Sequence, residues 1–162
     1  MHNFKIETYL KIVFFISLIS LISAYFIEYI LGYQPCNLCL IERIPYGLGI
    51  FLIFINFIFD KNQNFIIILL ILIFAFSFII SFYHLGIEQG FFEESAVCTI
   101  KSANDILSKE ELLKQLQVKT TSCKDVTLKI LGFSLTTINM IISLFLIILL
   151  TIIFINYEKF KN

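Results

Sequence analysis

A bundle of four membrane-spanning helices is the fold class this sequence predicts, and three observations predict it. The 162 residues are 59% hydrophobic and 15% charged, with a mean hydropathy of +0.92, whereas a soluble domain is about half apolar and a quarter charged. Uncharged runs cover residues 12–27, 44–59, 62–83 and 130–157, and a helix needs roughly 20 apolar residues to cross a bilayer. None of the runs alternates polar and apolar residues as a barrel strand does, which leaves the helix as the element that satisfies its own backbone in lipid.

The first run follows Lys5 and Lys11 and continues past Ala24 without a cleavage motif. It therefore reads as a span over about 12–32 and not as a removable leader. Extending the second run back through Arg43 to Leu40 gives a span over about 40–59, with the charged groups near the interface. The third and fourth runs give spans over about 64–85 and 132–156. No Pro-, Gly- or Ser-rich linker, repeat or charge block divides the chain, so residues 1–162 are expected to form a single integral membrane domain. A net charge of zero gives no basic surface for nucleic acid.

Four spans put both termini and the turn near Asp60 on one side, and loops 33–39 and 86–131 on the other. Lys and Arg number five on the terminal side and seven on the loop side, so the positive-inside rule does not orient the chain. Within the longer loop, Ser102 with Asp105 and Ser108 with Glu111 resemble helix starts, and Ile106, Leu112, Leu113 and Leu116 form an apolar stripe. A short amphipathic helix is expected there, lying on the membrane surface or packed on the bundle.

All four cysteines fall in or beside the polar loops and none inside an apolar run. That placement suits pairing in an oxidising compartment outside the cytoplasm, with three connectivities open. Cys36 and Cys39 stand at C-x-x-C spacing where the second span begins. A helix N-terminus presents free amides and positive dipole, which favour a thiolate. Arg43 follows Cys39 by four residues, within helical reach of the same sulfur, and its fixed charge suits an electron-rich oxygen; snorkelling or a pair with Glu42 is the alternative. A zinc site would usually bring a second close pair, and Cys98 and Cys123 are 24 residues apart in the intervening sequence; no metal is expected. His84, near the end of the third run, is either a functional ionisable group or a helix-end histidine on a carbonyl. Glu28 and Glu88 read as interfacial carboxylates.

The blocks PCNLCLIER (35–43), YHLGIEQGF (83–91) and CKDVTLKILGFSL (123–135), with Cys98, give the chain a resemblance to the DsbB disulfide-bond formation proteins of bacterial inner membranes. The resemblance covers nearly the whole chain. It implies a relay in which a reduced periplasmic DsbA-like thioredoxin-fold protein attacks a Cys98/Cys123 disulfide through Cys98. Cys123 then exchanges with Cys36, and Cys39 passes electrons to a membrane quinone, ubiquinone by default or menaquinone, near Arg43, with Glu42 and His84 as further quinone neighbours. It also implies periplasmic cysteine loops and cytoplasmic termini. Asn37 and Leu38 inside the C-x-x-C, and the many lysines between Cys98 and Cys123, depart from the pattern and leave open whether the partner is general or dedicated.

Overall fold

The computed structural model describes residues 2–59, 63–93, 123, 128–130 and 132–161. Cys98 and the expected amphipathic helix of the long loop lie outside the described residues. The elements are α1 (His2–Tyr29), α2 (Asn37–Phe59), α3 (Gln63–Glu88), β1 (Lys129–Ile130), β2 (Phe133–Ser134) and α4 (Leu135–Lys161). Each helix contains a stretch long and apolar enough to cross a membrane: Glu7–Tyr29, Asn37–Ile58, Gln63–Glu88 and Leu135–Ile155. The four-helix membrane bundle read from the sequence is the fold.

Polarity is inverted relative to a soluble bundle. Phe15, Phe51, Phe54, Leu72, Phe76 and Ile79 point outward, while Ser77, Ser81, His84 and Ser143 are buried. Lipid tails solvate the outer rings at no hydrophobic cost, and the inner polar groups find partners on neighbouring helices. The end of the bundle nearer the termini is packed with Leu10 and Val13 of α1, Ile53 of α2, Phe74 of α3 and Leu146 of α4. At the opposite end a second cluster joins Cys36, Leu38, Ile87 and Cys123. α3 packs along α2 and α4, and α1 packs along α2, but α1 and α4 scarcely touch. The bundle is thus an open arc with a seam between its first and last helices.

The helix ends are set by local chemistry. α3 stops in a Schellman turn: Gly90 takes φ +79, its N–H reaches the Ile87 carbonyl at 3.0 Å, and the Phe91 N–H reaches the Gly86 carbonyl at 2.8 Å. This turn folds Phe92 back over Gly86 and onto the Tyr83 ring, with centroids 5.6 Å apart. A Cβ on Gly86 would lie 2.1 Å from the Phe92 ring. Gly86→Ala should therefore expel Phe92 and cost about 1–3 kcal/mol by overpacking, read as a lower thermal midpoint in detergent; an unchanged midpoint would show the ring to be free to move.

α4 begins at Leu135, later than the start near 132 expected from the apolar run. The preceding residues fold instead into a tight antiparallel hairpin, Lys129 opposite Ser134 and Ile130 opposite Phe133. Gly132 supplies its positive φ of +87. Ser134 then caps the helix, accepting the Thr137 N–H at 3.2 Å.

Candidate active site

Cys36 is the N-cap of α2. Its carbonyl accepts the Leu40 N–H at 3.2 Å, and its sulfur accepts the Cys39 N–H at 3.3 Å, the position a Ser or Asp oxygen usually fills. The first turn then brings Cys39 Sγ to 2.8 Å from Cys36 Sγ, and both cysteines are free thiols. The turn that caps the helix and the turn that juxtaposes the sulfurs are one structure.

One turn further along α2, Glu42 and Arg43 diverge. Glu42, 7% exposed, faces inward and accepts His84 Nδ1–H at 2.9 Å and Asn139 Nδ2–H at 2.9 Å. The other ring nitrogen, His84 Nε2, lies 3.6 Å from Cys36 Sγ. Cys36, His84 and Glu42 thus form a thiol–imidazole–carboxyl series contributed by α2 and α3. Asn139 of α4 locks its far end by donating also to Ser81 at 2.7 Å while accepting the Tyr46 hydroxyl at 2.6 Å. Arg43 turns the other way, toward α1. It pairs with Glu28 and stands 5.0 Å over the Tyr25 ring, where an approach to the Cys39 sulfur had been expected. An acidic partner and an aromatic face on α1 give the guanidinium more than a sulfur on its own helix.

The Cys36 thiol is pulled down to about 4, first by the hydrogen bond from the Cys39 thiol and then, against the opposing effect of burial, by His84. Since the shift is downward, the thiolate persists through neutral pH and is lost only as pH falls through that value. Iodoacetamide should alkylate the reduced protein at Cys36 with a rate that stays level from about pH 8 to about pH 5. A rate falling tenfold per unit below about pH 8, as for an ordinary thiol, would exclude this thiolate.

Cys123 is disulfide-bonded and 2% exposed, packed in the cluster that also holds Cys36. Cys36, Cys39, Glu42, Arg43, His84 and Cys123 all line one cavity of about 360 Å³. Of the site residues expected from sequence, only Cys98 is not among them, since it lies outside the described residues. Ile19, Ala24 and Ile27 of α1 and Ile138 and Ile142 of α4 complete the walls, so the cavity sits at the α1–α4 seam. Cys36, Cys39 and His84 place their donor atoms within 4.8 Å of one another, a set that a thiophilic metal could use. The sulfurs at 2.8 Å stand closer than the roughly 3.8 Å that two thiolates need around a tetrahedral zinc with 2.3 Å bonds. Their spacing suits a dithiol that closes to a disulfide.

Sequence reasoning passed over Asn139, Thr136 and Tyr46 and undervalued Glu28. The signal was present as helical spacing of polar residues in apolar runs: Ser77, Ser81, His84 and Glu88 on α3, and Thr136, Asn139 and Ser143 on α4.

A dithiol at a helix start beside a bonded cysteine in a four-span bundle is the arrangement of a membrane thiol oxidoreductase. The family described as disulfide bond formation protein DsbB matches residues 7–153. The chain belongs to the DsbB family. It is also similar to an uncharacterized protein of Rickettsia prowazekii (strain Madrid E), 33% identical over 140 residues that make up 85% of this chain and 81% of the relative. No solved structure matches it. As a DsbB protein with four apolar helices, it is a multi-pass membrane protein of disulfide-bond formation, with the chemistry of a disulfide oxidoreductase.

Proposed function

We propose that this protein reoxidises a periplasmic DsbA-like dithiol protein by disulfide exchange and delivers the electrons to a membrane quinone. The observation that carries the quinone half is the cavity itself. Its volume of about 360 Å³ falls within the range of small-molecule sites. Ile19, Leu21, Ala24 and Ile27 of α1 and Leu135, Ile138 and Ile142 of α4 give it apolar wall, and the two thiols, Glu42, Arg43, His84 and Glu88 line it with polar groups. A flat ring with opposed carbonyl oxygens and an apolar tail fits that lining, and the seam between α1 and α4 gives it a route from lipid. When bound, the quinone supplies a two-electron sink whose reduction also consumes two protons.

The remaining steps belong to this chain. Cys98 meets the partner and forms the mixed disulfide, which frees Cys123. With the dithiol in its oxidised form, the Cys123 thiolate attacks Cys36 of the Cys36–Cys39 disulfide and breaks that S–S bond; burial in one cluster holds Cys123 and Cys36 close. Cys39 is thereby released as a thiolate next to the cavity; once the partner leaves oxidised, the freed Cys98 thiolate takes Cys123 back as a disulfide and leaves Cys36 and Cys39 as a dithiol. Arg43, anchored on Glu28, would supply positive charge to a bound quinone. His84 serves Cys36 as its proton partner, with Glu42 fixing the ring. Such a relay works with the cysteine loops in an oxidising compartment, which puts them in the periplasm and both termini in the cytoplasm.

The test is thiol trapping of purified protein mixed with a reduced DsbA-like protein, with and without ubiquinone or menaquinone. Both disulfides should be lost on adding the partner and recovered only with quinone. Arg43→Ala should weaken quinone use while leaving exchange with the partner intact. Slow-reducing bridges that never exchange with the partner would instead make the disulfides structural.

A further inference from the structure

Oxidising the Cys36/Cys39 dithiol forms one S–S bond and releases two electrons and two protons. The electrons need contact between sulfur and acceptor, but the protons start on the buried Cys39 thiol and on the imidazole that partners the Cys36 thiolate, and need carriers. The route through His84 and Glu42 has one carboxyl. A second branch leaves the same imidazole: Thr136 Oγ1 lies 3.4 Å from His84 Nδ1 and donates to Glu88 Oε1 at 2.5 Å. Glu88 lines the cavity that holds the two thiols, and its Oε2 is buried without a hydrogen-bond partner among the described residues. A buried carboxyl oxygen left unpaired is costly and calls for a functional explanation. Interfacial placement, the role read from sequence, does not supply one, because an interfacial carboxylate would turn that oxygen to water.

We propose that Glu88, reached from His84 through the Thr136 hydroxyl, is a second proton carrier of the dithiol and hands its proton to the quinone oxygen in the cavity. The proposal rests on the quinone reading given above. Each turnover then balances within the site: the dithiol and its imidazole partner give up two electrons and two protons, one proton through Glu42 and one through Glu88, which a bound quinone would take up together. Thr136 is a positioning residue in this scheme. Its hydroxyl is the link, so serine can replace it and valine cannot.

Two measurements test it on the full-length protein in detergent. In stopped flow, Glu88→Gln and Thr136→Val should each slow quinone reduction about 100-fold while leaving exchange between the partner and the cysteines unchanged without quinone. Thr136→Ser should restore the rate. Independently of quinone, infrared difference spectra between the reduced protein and protein oxidised with diamide should contain a carboxyl band that Glu88→Gln removes. Wild-type rates in Glu88→Gln, equal losses in both steps, or a difference spectrum that Glu88→Gln leaves unchanged would each overturn the assignment. Absence of quinone reduction in the wild type would overturn the function proposed above, with the infrared result still deciding whether Glu88 handles the proton.

Discussion

Protein carrying Cys39→Ser is expected to reduce no quinone and to accumulate a covalent link between Cys36 and Cys123. Cys36 would keep its place at the start of α2, since its carbonyl bond to Leu40 and the Cys39 backbone N–H do not depend on the residue 39 side chain. Its thiolate could still attack Cys123 of the proposed Cys98–Cys123 disulfide, releasing Cys98 as a thiol, since Cys36 and Cys123 are neighbours in the buried cluster. What disappears is the second sulfur, 2.8 Å away, that must resolve the link and close the S–S bond. Quinone absorbance should stay constant, and mass spectrometry of the acid-quenched protein should find the Cys36–Cys123 peptide. Turnover at the wild-type rate would remove Cys39 from the relay.

Glu42→Ala is expected to be the most damaging change outside the cysteines. The Glu42 carboxyl ties together three helices, accepting from His84 on α3 and Asn139 on α4. Removing one partner of a buried ionic or strongly hydrogen-bonded pair costs about 3–5 kcal/mol, and losing the oriented imidazole should slow oxidation of the dithiol about 100-fold. Glu42→Gln separates the two roles. An amide has a single acceptor oxygen, so either His84 Nδ1–H or Asn139 Nδ2–H would go unpaired at a cost of about 1–3 kcal/mol. Thermal melts in detergent should rank wild type above Gln above Ala; if Ala melts with wild type, the three-helix tie carries no stability.

The fold was legible because its determinants are one-dimensional. Charged and polar residues interrupt the apolar runs, and run length alone decides what spans a membrane. The dithiol was legible for a related reason: C-x-x-C spacing and a helix start are both local, so Cys36 and Cys39 could be assigned a common environment before any packing was known. The partners of the charged residues were not. Glu42 and Arg43 are adjacent in sequence, yet one faces α3 and α4 and the other faces α1. Which way each points depends on how α2 is rotated between its neighbours, information that no local pattern holds. Glu28 illustrates the same gap, since its helix position suits an interface until Arg43 is found beside it. Orientation escaped for an electrostatic reason, the near balance of Lys and Arg between the two sides.

The cap on α2 has a consequence for driving force. The Cys36 sulfur that accepts the Cys39 N–H at 3.3 Å does so more strongly as an anion than as half of a disulfide, so the cap favours the reduced state. A capping bond contributes about 1 kcal/mol, and for a two-electron couple 1.4 kcal/mol corresponds to about 30 mV. The first turn of α2 therefore raises the reduction potential of the pair by about 20 mV. Helix geometry alone shifts this protein toward being the stronger oxidant, before any cofactor is considered.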